Sequence, residues 1–400
     1  MKKLIDILIV LITLAACTSL RDADPYAGDL YTLTVTTQWP SVDVDRSGAE
    51  VRVEDINIGS RYVSMTDADG VAEFLLPNGL YRIIISGISD QHIFNASLDK
   101  VVLSGKDLEV RLDVAVSRAG SIVIKEVYCG GCKKLPQEGD YQADQYIILH
   151  NNDYQVQYLD GICFGTLSPY NSAGSNPWVS DAGLPDFLPI IQAVWQFPGD
   201  GDDFPLQPGG DAVLCLRGAI DHSLQYPLSV NLNNPDYFVC YNPTYFTNTT
   251  YHPAPGNLIS QDRYLDVVIK TGQANAYTLS NSSPAVVIFR AEGTTIQEHV
   301  SVAENVIQVP GSTVDRVVKV PFDWVLDAVE VFDGRSSSNQ KRLVPSLDAG
   351  YVTQSDVFLG HSLRRSVDQQ ASEAAGYEIL ADTNNSQNDF YESEKQSLHE

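Results

Sequence analysis

The chain has 400 residues, with 51 acidic against 26 basic side chains and a formal net charge of −25. That length admits two or three domains with real cores and excludes a single mini-domain. The sign of the charge repels nucleic acid and anionic headgroups, so no nucleic-acid partner is expected.

Residues 1–16 read as an export signal. Lys2 and Lys3 precede an apolar run from Leu4 to Ile12 that is too short to span a bilayer, and Leu14-Ala15-Ala16-Cys17 closes it. This end resembles a bacterial lipobox, which implies cleavage after Ala16 and a lipid on Cys17. The expectation is a lipoprotein of the outer membrane, facing the cell surface, with the periplasmic face as the alternative. Residues 17–29 are polar and short of core formers, as suits a flexible tether.

The fold expected is all-β, with two immunoglobulin-like β-sandwiches in tandem. Residues 30–117 form the first: Leu33–Val35 and Ala49–Val53 alternate, and Val71–Leu76 and Leu80–Ser86 follow as apolar or β-branched runs. Thr66–Gly70 reads as a tight turn and Pro77-Asn-Gly79 as a hairpin connection. Asp67 and Asp69 supply too few oxygens for calcium and are taken as turn residues. The stretch from Gly48 to Tyr81 resembles the carboxypeptidase-regulatory or Cna-B type of sandwich, which implies a spacer.

Residues 118–388 form the second domain, with strands expected at Ile122–Tyr128, Gln145–His150, Gln155–Phe164, Ala212–Arg217, Leu265–Thr271, Pro284–Arg290 and Ala328–Phe332. Within it, about 168–260 reads as a long loop-rich insertion, heavy in Pro, Gly, Asn and aromatics. Residues 389–400 are polar and acidic and are expected to be a disordered tail.

Three groups of residues are singled out for chemistry. Cys129-Gly-Gly-Cys132 fits a small structural disulfide, with a redox pair or half a zinc site as alternatives. Asp200, Asp202 and Asp203 cluster on a Gly/Pro loop; calcium is conceivable there, a solvated turn is the other reading, and no cofactor is assigned. Tyr237, Phe238, Tyr241, Tyr245, Phe246, Tyr251 and His252 crowd the run from Pro235 to His252, with Trp195 as a contributor. Rings on loops suit recognition of a sugar, peptide or protein, or else they cover the sandwich edge as a substitute core. Catalytic motifs are missing: there is no His-Glu-x-x-His, and Gly360-His-Ser-Leu-Arg364 fails the nucleophile-elbow pattern at its last position. The chain is therefore not expected to be an enzyme.

Taken together, Ile124-Lys-Glu126, Asp144-Gln-Tyr146, Tyr158-Leu-Asp-Gly161, Leu206-Gln-Pro-Gly-Gly210, Leu347-Asp-Ala-Gly-Tyr351 and Asp382-Thr-Asn-Asn-Ser386 resemble an uncharacterised Bacteroidota lipoprotein family of the DUF4876 type. The second domain is also similar to a lamin-tail sandwich, through Ile124 and Glu126, Tyr146 to Asn151, and Ser362 with Arg365. The resemblance implies a non-catalytic accessory that captures ligand for, or docks onto, a TonB-dependent outer-membrane barrel. An adhesive or structural surface protein is the rival, and a sandwich hydrolase ranks last.

Overall fold

The computed structural model describes residues 29–39, 46–89, 92–118, 120–181 and 183–399. Cys17, the signal segment and nearly all of the tether fall outside them. The chain divides into two compact units; the described part of the first comprises residues to Gln38, Arg46–Ile85 and Ser97–Asp113, and that of the second comprises Trp39, Ser86–Ala96 and the described residues from Val114 onward.

In the first unit, alternation becomes a sandwich. Strand Tyr31–Gln38 pairs antiparallel with Val71–Leu76 and parallel with Leu108–Asp113. It buries Leu33 and Val35 while its intervening threonines stay half-buried. A second sheet places Glu50–Asp55 between Arg61–Met65 and Gly79–Ser89. The turn at Thr66–Gly70 is built by Asp67, whose carboxylate accepts the N–H groups of Asp69 and Val71 at 2.9 Å each. Pro77–Gly79, however, closes no hairpin. The strands on either side belong to different sheets, and the Tyr81 hydroxyl donates to the Pro77 carbonyl at 2.8 Å to hold the crossing.

The second unit is a larger sandwich. Its six-stranded sheet runs Phe238–Val239, Asp211–Cys215, Tyr146–Asn151, Ile122–Tyr128, Ser362–Arg365, Phe390–Ser393. The facing sheet of eight runs Val306–Gln308, Arg316–Val320, Leu188–Gln196, Cys163–Leu167, Ala285–Phe289, Val325–Asp333, Val352–Gln354, with Asp266–Lys270 also paired to Leu188–Gln196. Between them Ile124, Val127, Ile147, Leu149 and Leu214 meet Phe164, Trp195, Val286, Ile288 and Val329 in one core. The outer faces are covered too. The segment carrying Ala219, Val230, Leu232 and Ile259 lies on the six-stranded sheet, and the short helix Ile296–Ser301 lies on the other. Strands buried on both faces need apolar residues at every position, which is why Ala285–Phe289 reads as a continuous run.

The stretch 168–260 is loop-rich as expected and carries the expected strand at Asp211–Cys215, but it also contributes an unexpected nine-residue strand, Leu188–Gln196. One expectation is corrected. The tail is ordered, because Phe390–Ser393 pairs with Ser362–Arg365, and beyond it Gln396 is buried and the Ser397 N–H reaches Glu126. An open sheet edge supplies the partners that acidic composition alone could not suggest.

Arg365 sits under that edge. Its guanidinium donates to the Ile124 carbonyl at 2.8 Å and pairs with Asp327, Asp382 and Asp389, all buried. Burial pushes the Asp389 carboxyl up to about 7 and Asp327 up to about 6, despite the arginine. The folded unit thus holds protons that the unfolded chain has released by about pH 4. The stability this contributes is present below that pH and is lost as pH rises through 6 and 7. Asp389→Asn is expected to flatten the decline in denaturant unfolding experiments between about pH 5 and 8; an unaltered slope would count against this assignment.

Candidate functional site

The aromatic run resolves into a repeated turn. Asn242-Pro-Thr-Tyr-Phe246 and Asn248-Thr-Thr-Tyr-His252 share the pattern Asn-x-Thr-Tyr-aromatic, six residues apart. In each, the asparagine side-chain oxygen accepts the N–H groups two and three residues on, at 3.0 and 3.3 Å in the first turn and 3.1 and 3.2 Å in the second. The N–H four residues on returns to the asparagine carbonyl, at 2.9 and 2.7 Å. Such a turn throws its two rings in opposite directions. Tyr245 and Tyr251 are exposed, 43% and 50%, while Phe246 and His252 are buried.

The sequence-nominated binding surface therefore splits. Trp195, Phe238 and Phe246 are core: Trp195 stacks on Phe246 with centroids 5.5 Å apart, and Phe238 sits edge-on to Phe197 at 5.0 Å. Tyr237 and Tyr241 are half-buried, with Tyr241 stacked on His252 at 5.1 Å. Only Tyr245 and Tyr251 of the set stand out to solvent. For Tyr245, Phe246, Tyr251 and His252 alternation could not reveal this, because the turn, not a strand, sets which ring points inward.

Tyr251 borders a cleft of about 390 Å³ whose walls also carry Gln142, Tyr170, Asn275, Thr278 and Asn281. Its floor is Arg217, a residue that sequence reasoning missed. It follows the Asp211–Cys215 strand, and its Nη1 donates to the Gln142 carbonyl at 2.8 Å, while Nε lies 3.4 Å from the Tyr251 carbonyl. The Tyr251 ring stands 5.5 Å from the guanidinium carbon. Burial works against the charge and lowers the arginine below its ordinary value. Nearby, His252 is pushed down to about 4, first by burial and then by the Arg217 charge, and its Nε2 accepts the Asn242 N–H.

The cysteine pair differs from expectation. Cys129 and Cys132 are free buried thiols. Gly131 turns with φ +77°, where an added Cβ would strike the Tyr141 carbonyl, and the two thiols face different neighbours. Cys129 donates to Gln354 Oε1 at 3.0 Å and Cys132 to Asp144 Oδ2 at 3.7 Å. Burial pushes both up to about 12, far from the thiolate that redox or metal chemistry needs.

The acidic loop has an organiser that the sequence did not single out. Asp160 accepts the N–H groups of Gly201, Asp203 and Phe204 at 2.9–3.1 Å. Burial acts to raise its carboxyl, but these three donors bring it below the usual range. Asp200, Asp202 and Asp203 point to solvent around a loop already filled by that carboxylate, and Asp203 caps the Asp200 N–H. Elsewhere His150, Asp211 and Glu378 converge as metal ligands would. Lys125 takes the cation's place, 2.7 Å from Asp211 and 2.5 Å from Glu378, and both His150 nitrogens are engaged.

Comparison with known proteins follows from this geometry. Residues 207–397 match the model of a family described as protein of unknown function (DUF4876). A DUF4876 family protein from Bacteroides thetaiotaomicron is similar in structure at 24% identity, with 90% of this chain and 94% of that one covered and a TM-score of 0.59. A DUF3823 family protein from Parabacteroides merdae aligns at 11% identity over 46% of this chain and 79% of that one, with a TM-score of 0.18 that carries no argument. No curated protein matches the chain. The family match over 207–397 and the fold shared along most of the chain are thus both with the DUF4876 type, the family that the sequence resembles.

Proposed function

We propose that the chain is a non-catalytic binding module, anchored by a lipid on Cys17 at the outer membrane, that captures a ligand for or docks onto a TonB-dependent barrel. The observation carrying the binding role is the cleft at Arg217, overhung by Tyr251, with Tyr245 exposed on the preceding copy of the same turn. Loops at one end of a rigid sandwich are where such folds place recognition. His222, a group that could do chemistry, is committed elsewhere: it donates Nε2–H to the Gly218 carbonyl at 2.6 Å and meets the Tyr141 hydroxyl at Nδ1, also at 2.6 Å.

The test is capture from detergent-solubilised outer membranes. The wild-type chain is expected to incorporate labelled palmitate and to retain a barrel protein, whereas Cys17→Ala should do neither from the membrane fraction. Tyr245→Ala with Tyr251→Ala should abolish capture while moving stability by no more than about 0.5 kcal/mol per exposed site. Retention of the barrel by that double variant would remove the repeated turn from the contact; a wild-type chain without lipid or barrel would overturn the reading.

A further inference from the structure

Three arginines of the second unit are buried, and two of them are neutralised by carboxylates: Arg342 by Glu330, and Arg365 by Asp327 and Asp382. Arg217, the third, has only two backbone carbonyls and the face of Tyr251 among the described residues. In a chain with 51 acidic residues, a counter-ion would be easy to provide. The carboxylate acting on it most strongly, Asp144, is instead occupied by the hydroxyls of Ser229 at 2.5 Å and Tyr128 at 3.1 Å, out of contact. Withdrawing a guanidinium from water without a partner anion is costly, and the cost is recovered when an oxyanion arrives to pair with it.

The rest of the cleft fixes the kind of anion. Tyr170 and Thr278 share a hydroxyl pair at 2.8 Å, and Gln142 and Asn281 bring amides, so the walls offer hydroxyl and amide partners rather than further cations. One positive charge among neutral polar groups matches a singly charged ligand rich in hydroxyls or amides. The exposed ring of Tyr251 gives it a flat face to lie against. From these observations, and resting on the binding-module reading above, we infer that the cleft binds a small polar carboxylate, with its carboxylate on Arg217 and its body against Tyr251.

Galacturonate and its neutral counterpart galactose serve as probes, titrated against the purified second unit's parent, the full exported chain, by ligand-observed NMR. Galacturonate is expected to bind at least about tenfold more tightly than galactose, and Arg217→Gln should erase that margin. Because Arg217 is buried, a second variant guards against misfolding. Ala274 lies exposed on the cleft wall, and Ala274→Glu brings a competing carboxylate without disturbing the core; it should weaken galacturonate about tenfold at an unchanged melting temperature. Equal binding of both sugars, unmoved by either variant, overturns the carboxylate assignment while leaving a binding cleft in place. Binding of neither sugar overturns the assignment and takes the cleft away from the binding-module reading as well.

Discussion

Replacing Arg342 by Met is expected to destabilise the second unit by about 3–5 kcal/mol, the cost of leaving a buried charge unpaired. Arg342 and Glu330 are both wholly buried, and their pairing is saturated. Glu330 Oε1 accepts Nε at 2.8 Å and Nη2 at 2.6 Å, while Oε2 accepts the backbone N–H groups of Arg342 and Leu343 at 2.7 and 3.0 Å. The other guanidinium hydrogens go to the carbonyls of Ser283, Pro169 and Val331. One side chain thus ties the Val325–Asp333 strand to two loops and to the segment after residue 341. Methionine keeps much of the stem's volume but strands Glu330 among carbonyls. Guanidinium denaturation should show the loss as a lower midpoint at an unchanged m-value. A loss below about 1 kcal/mol would mean that water reaches Glu330 and that the site is not dry.

How far sequence could anticipate this molecule depended on the distance over which each feature is decided. Alternation at Leu33 and Val35 and the continuous runs at Ile122–Tyr128 and Ala285–Phe289 are local, and they gave the all-β sandwich architecture directly. Leu188–Gln196 escaped because Pro189 sits inside it and Gln192 adopts φ +71°, while its two buried faces leave no alternation to detect. Phe390–Ser393 escaped because its reason to be a strand lies almost thirty residues away, at Ser362–Arg365. For the site, the spacing of six between Asn242 and Asn248 lies in the sequence, with the tyrosine third after each asparagine and the aromatic fourth, but the run stands out there only for its aromatic density. Arg217 does not stand out there, since its distinguishing property is that no carboxylate among the described residues contacts it, and that is fixed only once the loops around it have closed.

Truncating Phe246 to Ala is expected to cost about 3–5 kcal/mol, in contrast with its neighbour Tyr245, whose removal should be nearly silent. Adjacent rings in one turn differ this much because the Asn242 carbonyl and side chain fix the backbone, sending Phe246 inward and Tyr245 outward. Phe246 stacks on Trp195, stands 5.3 Å from His252 and meets Tyr277 edge-on at 5.9 Å, so its loss opens a cavity that three rings border. Lys270 leans on the outer side, 5.1 Å from the ring and 2.9 Å from the Tyr245 carbonyl, so the same change also loosens the turn that carries Tyr245. The two truncations therefore separate packing from recognition within a single turn. Thermal unfolding of both variants decides the matter: similar melting temperatures would show that Phe246 is not part of the core, and a large loss in Tyr245→Ala would show that the exposed ring is structural and unavailable for binding.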